Sequence, residues 1–159
     1  MNLASKFFLL ILGFLFLAPI ANSAPPPKVG GKGSTPTVQY LKGNVPAKYP
    51  FSEAVQVDHM LYLSGQIGVD SSFTLVPGGM ETEARQVMEN IRKVLAHHGC
   101  TFDNVVKCTV MLSDMKEWPA FNAIYKEYFK ADRLPARSAL GCNGLALGAR
   151  VEVECWAVK

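Results

Sequence analysis

Arg137 is the residue whose type and setting most directly suggest chemistry. It stands at the head of an extended, otherwise uncharged run, between Pro135-Ala136 and Ser138-Ala139-Leu140. A guanidinium can hold a carboxylate through two parallel N–H···O bonds. Because arginine is mostly a surface residue, a solvated position at the rim of the protein is the simpler interpretation, and a carboxylate-binding fork is the alternative.

Two carboxylates on the last strand-like segment form the second candidate. Glu152 and Glu154 are two residues apart, so on a strand they share one face. Trp156 continues that face, so we expect part of it to be covered. A partly covered carboxylate needs a hydrogen-bond donor or a function, whereas the plain alternative is a solvated sheet face.

The three histidines do not predict a metal site or a catalytic triad. His97 and His98 are adjacent, so on a helix we expect their side chains to point to different faces, unlike a chelating i, i+4 pair. His59 falls in a predicted turn and should be solvated. The sequence contains no CxxC, HExxH, GxSxG, Walker A or GxGxxG pattern, so no motif supports a metal or cofactor site.

The four cysteines leave the thiol state open. They are Cys100, Cys108, Cys142 and Cys155. In an exported chain four cysteines permit disulfides, with three complete pairings. Cys108 and Cys155 lie in strand-like runs, where cysteine can act as a small buried hydrophobe. We expect free thiols, because a chain of this size can build its own core.

Hydrophobic periodicity predicts six strands and two helices that would position these residues. The strands are predicted at Thr37–Leu41, Glu53–Val57, Met60–Ser64, Val105–Leu112, Pro135–Leu140 and Val151–Val158. Asp58-His59 is predicted to turn the second strand into the third. Within Val105–Leu112, alternation places Val106, Cys108, Val110 and Leu112 on one face.

The first helix is predicted over Glu81–His98, with an apolar stripe at Ala84, Val87, Met88, Ile91 and Leu95. The second is predicted to begin at Asp114, which could form a capping box with Glu117. The element order predicts an α+β fold in which a single mixed sheet carries both helices on one face.

The N-terminus is typical of a signal peptide. An apolar run from Phe7 to Leu17 follows Lys6 and is shorter than the roughly 20 residues of a spanning helix. Small residues before position 24 predict cleavage after Ser23, with a buried helix or an uncleaved anchor as the alternative. The organisation is then a signal peptide at 1–23, a Pro-, Gly- and Lys-rich flexible leader at 24–36 and a domain at 37–159. We expect export to the periplasm, or secretion, without stable membrane association after cleavage.

Charge and length exclude some classes of protein. A length of 159 residues predicts about one domain. The net charge of +3, from 16 basic and 13 acidic residues, is too small for the electrostatic footprint of a nucleic-acid-binding protein. We therefore expect no nucleic-acid partner.

Six short motifs resemble one known family. They are YPFSEAV at 49–55, LSGQI at 63–67, NVVK at 104–107, FNAIY at 121–125, PARS at 135–138 and VEVE at 151–154. Their order and spacing resemble the Rid family, the YjgF-like reactive intermediate deaminases, over about residues 37–158. The resemblance implies a chorismate-mutase-like α+β fold and a homotrimer with clefts lined by two chains. It also implies cofactor-free hydrolysis of enamines and imines to 2-keto acids and ammonium.

The resemblance also implies roles for individual residues. Arg137 matches the arginine that holds the substrate carboxylate, and Glu152 matches the carboxylate that positions or activates water. Ser64 and Asn122 match polar residues of the pocket, and Gly65 would let the ligand approach the backbone closely.

Two positions depart from the family pattern. Phe51 stands where the deaminase branch commonly has tyrosine, so a phenolic hydroxyl is missing. Ala139 stands where some members have cysteine, a change we expect to be neutral. The missing hydroxyl keeps open a second interpretation, a trimer that binds small carboxylates without turnover. A ribonuclease or translation inhibitor is a third, which the near-neutral charge disfavours.

Overall fold

The computed structural model of the protein describes residues 34–159, and the strands within this range form one mixed sheet. The predicted signal peptide at 1–23 and residues 24–33 of the predicted leader lie outside the described residues. No helix between Ser34 and Lys159 is long and apolar enough to cross a membrane. The sheet with both helices on one face confirms the predicted α+β class.

The sheet runs in the order β1-β2-β3-β7-β5-β6, with the short β4 pairing with β7. Only β5 and β6 are parallel among these pairs, and the others are antiparallel. The strands are β1 Val38–Leu41, β2 Ala54–Val57, β3 Met60–Leu63, β4 Gln66–Ile67, β5 Val105–Leu112, β6 Ala136–Gly141 and β7 Val151–Val158. All six predicted strands are present, and β4 is an additional one.

The residues of β7 alternate between the face of the sheet that the helices cover and the opposite, open face. Its residues Val151, Val153, Cys155 and Ala157 are fully buried beneath the helices. The alternate residues, from Glu152 to Val158, lie on the other face and remain partly or largely exposed. The period-2 pattern of the sequence therefore sets the orientation of the catalytic candidate Glu152.

Helix α1 covers the sheet through its predicted apolar stripe. It spans Gly79–His97, two residues longer at its start and one shorter at its end than predicted. Its fully buried side chains include Val87, Met88, Ile91 and Leu95. Gly99 follows the helix with a φ of 73°, a conformation that glycine adopts without steric cost.

One prediction for β5 is wrong. Val106 does not share the buried face of Cys108, Val110 and Leu112, because the pairing of β5 with β7 shifts register between Val105 and Lys107. A bulge of this kind inserts one residue and reverses the faces on one side of it. Val105 is therefore buried, whereas Val106 is exposed.

The start of the second helix also differs from the prediction. Helix α2 spans Trp118–Tyr125, and the Asp114 side chain instead caps a short 3-10 turn by accepting from the backbone N–H of Lys116 at 2.9 Å. Glu117 does not complete a capping box, since it accepts from Arg150 at 2.6 Å. The helix thus begins at a turn tied to the start of β7.

The four cysteines are free thiols, as expected. Cys108 and Cys155 face each other across the β5–β7 pair, with their Sγ atoms 3.1 Å apart. Both are fully buried. The hydrogen bond with Cys108, and after it burial, raise the pKa of Cys155, so this thiol stays protonated.

Candidate active site

Helix α2 holds Arg137 in place over the edge strand β6. The guanidinium carbon lies 4.6 Å from the ring centroid of Trp118 and 4.5 Å from that of Tyr125. Its Nη1 donates to Asn122 Oδ1 at 2.8 Å. Stacking against two rings and one amide fixes the plane of the guanidinium, so Arg137 is not a freely solvated rim residue.

The groups around Arg137 leave polar atoms free for a ligand. Within residues 34–159, Nη1 of Arg137 bonds to Asn122, while Nη2, Nε and the Asn122 Nδ2 group make no hydrogen bond. These residues, with Tyr125, Lys126, Leu134 and Pro135, line a cavity of about 420 Å³. Free N–H donors beside a fixed positive charge suit a carboxylate.

Sequence reasoning missed Trp118 and Tyr125 as site residues. Their apolar rings indicate packing on one side of the second helix and do not by themselves indicate a binding role. Together with Asn122 they lie at positions i, i+4 and i+7, which is the spacing of one helix face. That spacing was the available signal. The spacing groups the three residues on one helix face, but it does not indicate that this face lies against Arg137.

Glu152 lies in a second and larger cavity. This cavity measures about 840 Å³, and its lining includes Phe51, Ser64, Gly65 and Glu152. Burial, and after it the like charge of Glu154, raise the pKa of Glu152 above the ordinary glutamate value. A carboxylate with a raised pKa is a better proton acceptor than a solvated one.

Gly65 and Ser64 shape the surroundings of this carboxylate. A Cβ atom built on Gly65 would overlap the Glu152 carboxylate, so only glycine allows the side chain to lie there. Ser64 Oγ donates to the carbonyl of Ser52 at 2.7 Å, which leaves its oxygen lone pairs free to accept. Phe51 is 45% exposed and packs beside Tyr49 at a centroid distance of 5.7 Å.

The structure divides the six predicted site residues into two groups. Arg137 and Asn122 lie together on the helix side, and Glu152, Ser64, Gly65 and Phe51 line the larger cavity. Arg137 pairs with Cys108, which faces the helices, whereas Glu152 pairs with Met111, which faces the other way. Three residues along β5 and two strand spacings separate their Cα atoms by about 14 Å. One chain therefore does not bring Arg137 and Glu152 to one small substrate.

The prediction that His97 and His98 point apart is wrong. Their rings stack with centroids 4.8 Å apart, and both contact the same carboxylate oxygen of Glu53. Helix α1 ends at His97, so His98 leaves the helical path with φ of −104° and ψ of 17°. The 100° rotation expected between adjacent helical residues does not apply across this boundary.

Comparison with known proteins agrees with this fold and these motifs. A small α+β chain with a mixed sheet and this arginine and glutamate pattern is what the Rid resemblance implies. The family model described as Endoribonuclease L-PSP matches residues 42–159, and the chain belongs to this YjgF/Rid family.

Named relatives lie close to the chain in sequence and in structure. It is 50% identical over 111 residues to the mouse protein named 2-iminobutanoate/2-iminopropanoate deaminase, an alignment that covers 69% of this chain and 82% of the mouse protein. The human protein of the same name is 47% identical, with 69% and 80% covered. The crystal structure of YyfA, a Rid family protein of Yersinia pestis, superimposes with a TM-score of 0.72 at 35% identity, covering 77% of this chain and all of that one.

Proposed function

We propose that the protein hydrolyses reactive 2-imino acids, and the 2-enamino acids that tautomerise to them, to 2-keto acids and ammonium. The observation that carries this proposal is the held guanidinium of Arg137 together with the Glu152 carboxylate of raised pKa. The mouse and human relatives named as imine deaminases support the same chemistry.

The proposed reaction uses only groups of the protein and one water molecule. Arg137 and the Asn122 amide bind the substrate carboxylate, which places the C2 carbon of the iminium in the cleft. Glu152 accepts a proton from water as the water oxygen bonds to C2. The proton then passes to the nitrogen. As the C–N bond breaks, the hydroxyl group of the intermediate gives its proton through Glu152 to the departing ammonia, so that iminium plus water becomes keto acid plus ammonium. General-base assistance of this kind contributes roughly 10²–10⁴-fold.

We also infer a homotrimer whose clefts are shared between chains. Arg137 and Glu152 face opposite sides of one sheet, so a complete site needs Arg137 of one chain and Glu152 of another. The open face of the sheet also carries exposed apolar side chains: Val106, Leu140, Trp156 and Val158. Exposed apolar side chains on one face of a sheet favour burial against another copy.

Phe51 supports a second candidate function. The ring lines the cavity of Glu152 but has no hydroxyl to bind water or the leaving nitrogen. If that hydroxyl is essential to the reaction, the clefts would bind small carboxylates without converting them. Binding that depends on Arg137 without ammonium release would identify this function.

The experiment that tests the proposal is hydrolysis of 2-iminopropionate. The imine is generated by an amino-acid oxidase, and the amount remaining is trapped with semicarbazide. We expect the protein to accelerate the loss of imine and the Arg137→Ala and Glu152→Ala variants to lose that acceleration. Arg133→Ala, an exposed arginine paired with Asp103, is the matched control and should keep full activity.

Two outcomes contradict the proposal. One is an imine decay rate that the protein leaves unchanged although its fold is intact. The other is an acceleration that both variants retain, which would place the chemistry elsewhere in the molecule.

We propose export to the periplasm, with secretion as the alternative. The support is the sequence of residues 1–23 alone. N-terminal sequencing of the protein purified from an expressing cell should begin at Ala24. A mature protein that begins at Met1 and fractionates with the cytosol would contradict it.

A further inference from the structure

A buried carboxylate meets two imidazoles at the end of α1. Oε2 of Glu53 lies 3.0 Å from Nδ1 of His97 and 3.0 Å from Nε2 of His98. The other oxygen of Glu53 accepts from the backbone N–H of Asn44 at 3.2 Å. The Glu53 and His98 side chains are each 9% exposed, whereas His97 is 47% exposed. The three donor atoms lie within 4.8 Å of one another.

Local structure holds these three side chains together. Glu53 immediately precedes β2, and the two histidines end α1, where Gly99 turns the chain away. Gly43 has a φ of 52°, and a Cβ atom at this position would overlap the Glu53 carboxylate. The close passage of the Gly43 backbone thus confines the carboxylate beside the two rings.

The arrangement has the geometry of a set of metal ligands. Ligands about 2.0–2.1 Å from one ion at tetrahedral angles are about 3.3–3.4 Å apart, close to the two 3.0 Å separations here. The third pair of donor atoms, the two imidazole nitrogens, lies within 4.8 Å. Among residues 34–159, Glu53 has no lysine or arginine partner within ion-pair distance, so a buried carboxylate is left to the histidines.

We propose that Glu53, His97 and His98 form a binding site for one divalent transition-metal ion of the zinc type. Two imidazoles and a carboxylate are ligands that such ions take, and three protein ligands leave a fourth position for water or an anion. Glu53 and His97 line the same cavity as Glu152 and Ser64, so this fourth position opens beside them. The proposed imine hydrolysis requires no metal, and this site goes beyond it.

Bound metal would connect two distant parts of the chain. Glu53 is 44 residues from His97, and the ion would join the loop before β2 to the end of α1. A ligand that binds only the folded protein stabilises it by mass action. The midpoint of thermal unfolding should therefore rise with the concentration of added Zn²⁺.

Calorimetry on chelator-treated protein is the first test. We expect one Zn²⁺ per chain in the wild type and at least a tenfold loss of affinity in Glu53→Gln and in His98→Ala. His59→Ala is the matched control, because His59 is an exposed histidine in the β2–β3 turn, and it should bind as the wild type does. Circular dichroism checks that each variant is folded.

Cobalt spectroscopy tests the ligand set without any substitution. Co²⁺ added to the wild-type protein should give visible bands of tetrahedral nitrogen and oxygen ligands, without thiolate-to-cobalt charge transfer in the near ultraviolet. Three results would overturn the proposal: no Zn²⁺ binding by the wild type, binding that survives both ligand variants, or a cobalt spectrum with thiolate bands that thiol alkylation abolishes.

Discussion

At the scale of single residues, the candidate site depends on how neighbours set the properties of two charged groups. Arg137 is oriented by the rings of Trp118 and Tyr125 and by one amide, so its guanidinium is held before a ligand arrives. Glu152 has its pKa raised by burial and by Glu154. Each effect is local and can be changed by a substitution that keeps the fold.

Replacing Arg137 by lysine should impair the reaction although the charge is kept. An ammonium group cannot form the two parallel hydrogen bonds of a guanidinium and does not stack on Trp118 and Tyr125 in the same way. A lost hydrogen bond to a charged group is worth about 1.5–3 kcal/mol, or about 10–150-fold in kcat/KM. Steady-state kinetics of Arg137→Lys checks this. A kcat/KM within twofold of the wild type would contradict a bidentate role.

Replacing Glu154 by glutamine should shift the pH dependence of activity. Glu152 acts in its ionised form, so activity falls as the pH drops through its raised pKa. Removing the negative charge of Glu154 lowers that pKa and moves the acidic limb of kcat/KM to lower pH. Glu127→Gln, at an exposed glutamate paired with Arg85, is the control and should leave the limb in place. An acidic limb that does not move, or moves to higher pH, would refute this coupling.

At the scale of elements, α2 is the part that builds the arginine site. This helix presents Trp118, Asn122 and Tyr125 to Arg137 of β6. Phe121 lies beside that face of the helix, with its ring 5.6 Å from that of Tyr125, and enters the core. Tyr125 belongs to both the site and the core, because its ring contacts Arg137 and is buried beside Phe121. The placement of α2 on the core thus controls the geometry of the site.

Shortening Phe121 to alanine should loosen α2 and destabilise the protein. Phe121 is fully buried and its ring lies 5.6 Å from that of Tyr125. Removal of a buried phenylalanine ring costs about 3–5 kcal/mol. Denaturant unfolding at one fixed protein concentration measures the loss. Leu147→Ala, at a side chain that is 66% exposed, should change the free energy of unfolding by less than about 0.5 kcal/mol. Equal losses in the two variants would show that Phe121 does not anchor the helix.

At the scale of the whole molecule, the predicted site residues of one chain lie in two separate cavities. Arg137 and Glu152 lie on opposite faces of the sheet, and the apolar residues of the open face are exposed in the single chain. The proposed homotrimer would account for both observations. It would bury apolar area and bring the two charged groups of different chains to one cleft.

Mixing two inactive variants should restore activity if the clefts are shared. In a co-expressed mixture of Arg137→Ala and Glu152→Ala chains, a cleft is intact when it takes Glu152 from the first variant and Arg137 from the second. Random assembly from equal amounts makes about a quarter of the clefts intact. Imine hydrolysis by the mixture is measured against each variant alone. Mixed assemblies that form but remain as inactive as the separate variants would contradict the shared site.

Much of the fold and part of the site could be predicted from the sequence, because they depend on neighbours along the chain. The period-2 pattern of β7 determined that Glu152 and Trp156 share a face, and the stripe of α1 determined which side of that helix is buried. The bulge at Val106 escaped the pattern, because a bulge is defined by the partner strand and not by the strand that contains it.

Patterns along the chain predicted six of the seven strands and both helices, and the short motifs predicted the family and the six candidate site residues. Which side chains lie close together in space depends on the tertiary structure. It separated Arg137 from Glu152, turned α2 toward the guanidinium, and brought Glu53 to His97 and His98 from 44 and 45 residues away. The physical reason is that local periodicity depends on backbone geometry within a few residues, whereas a site depends on through-space distances that the packing of helices and strands establishes.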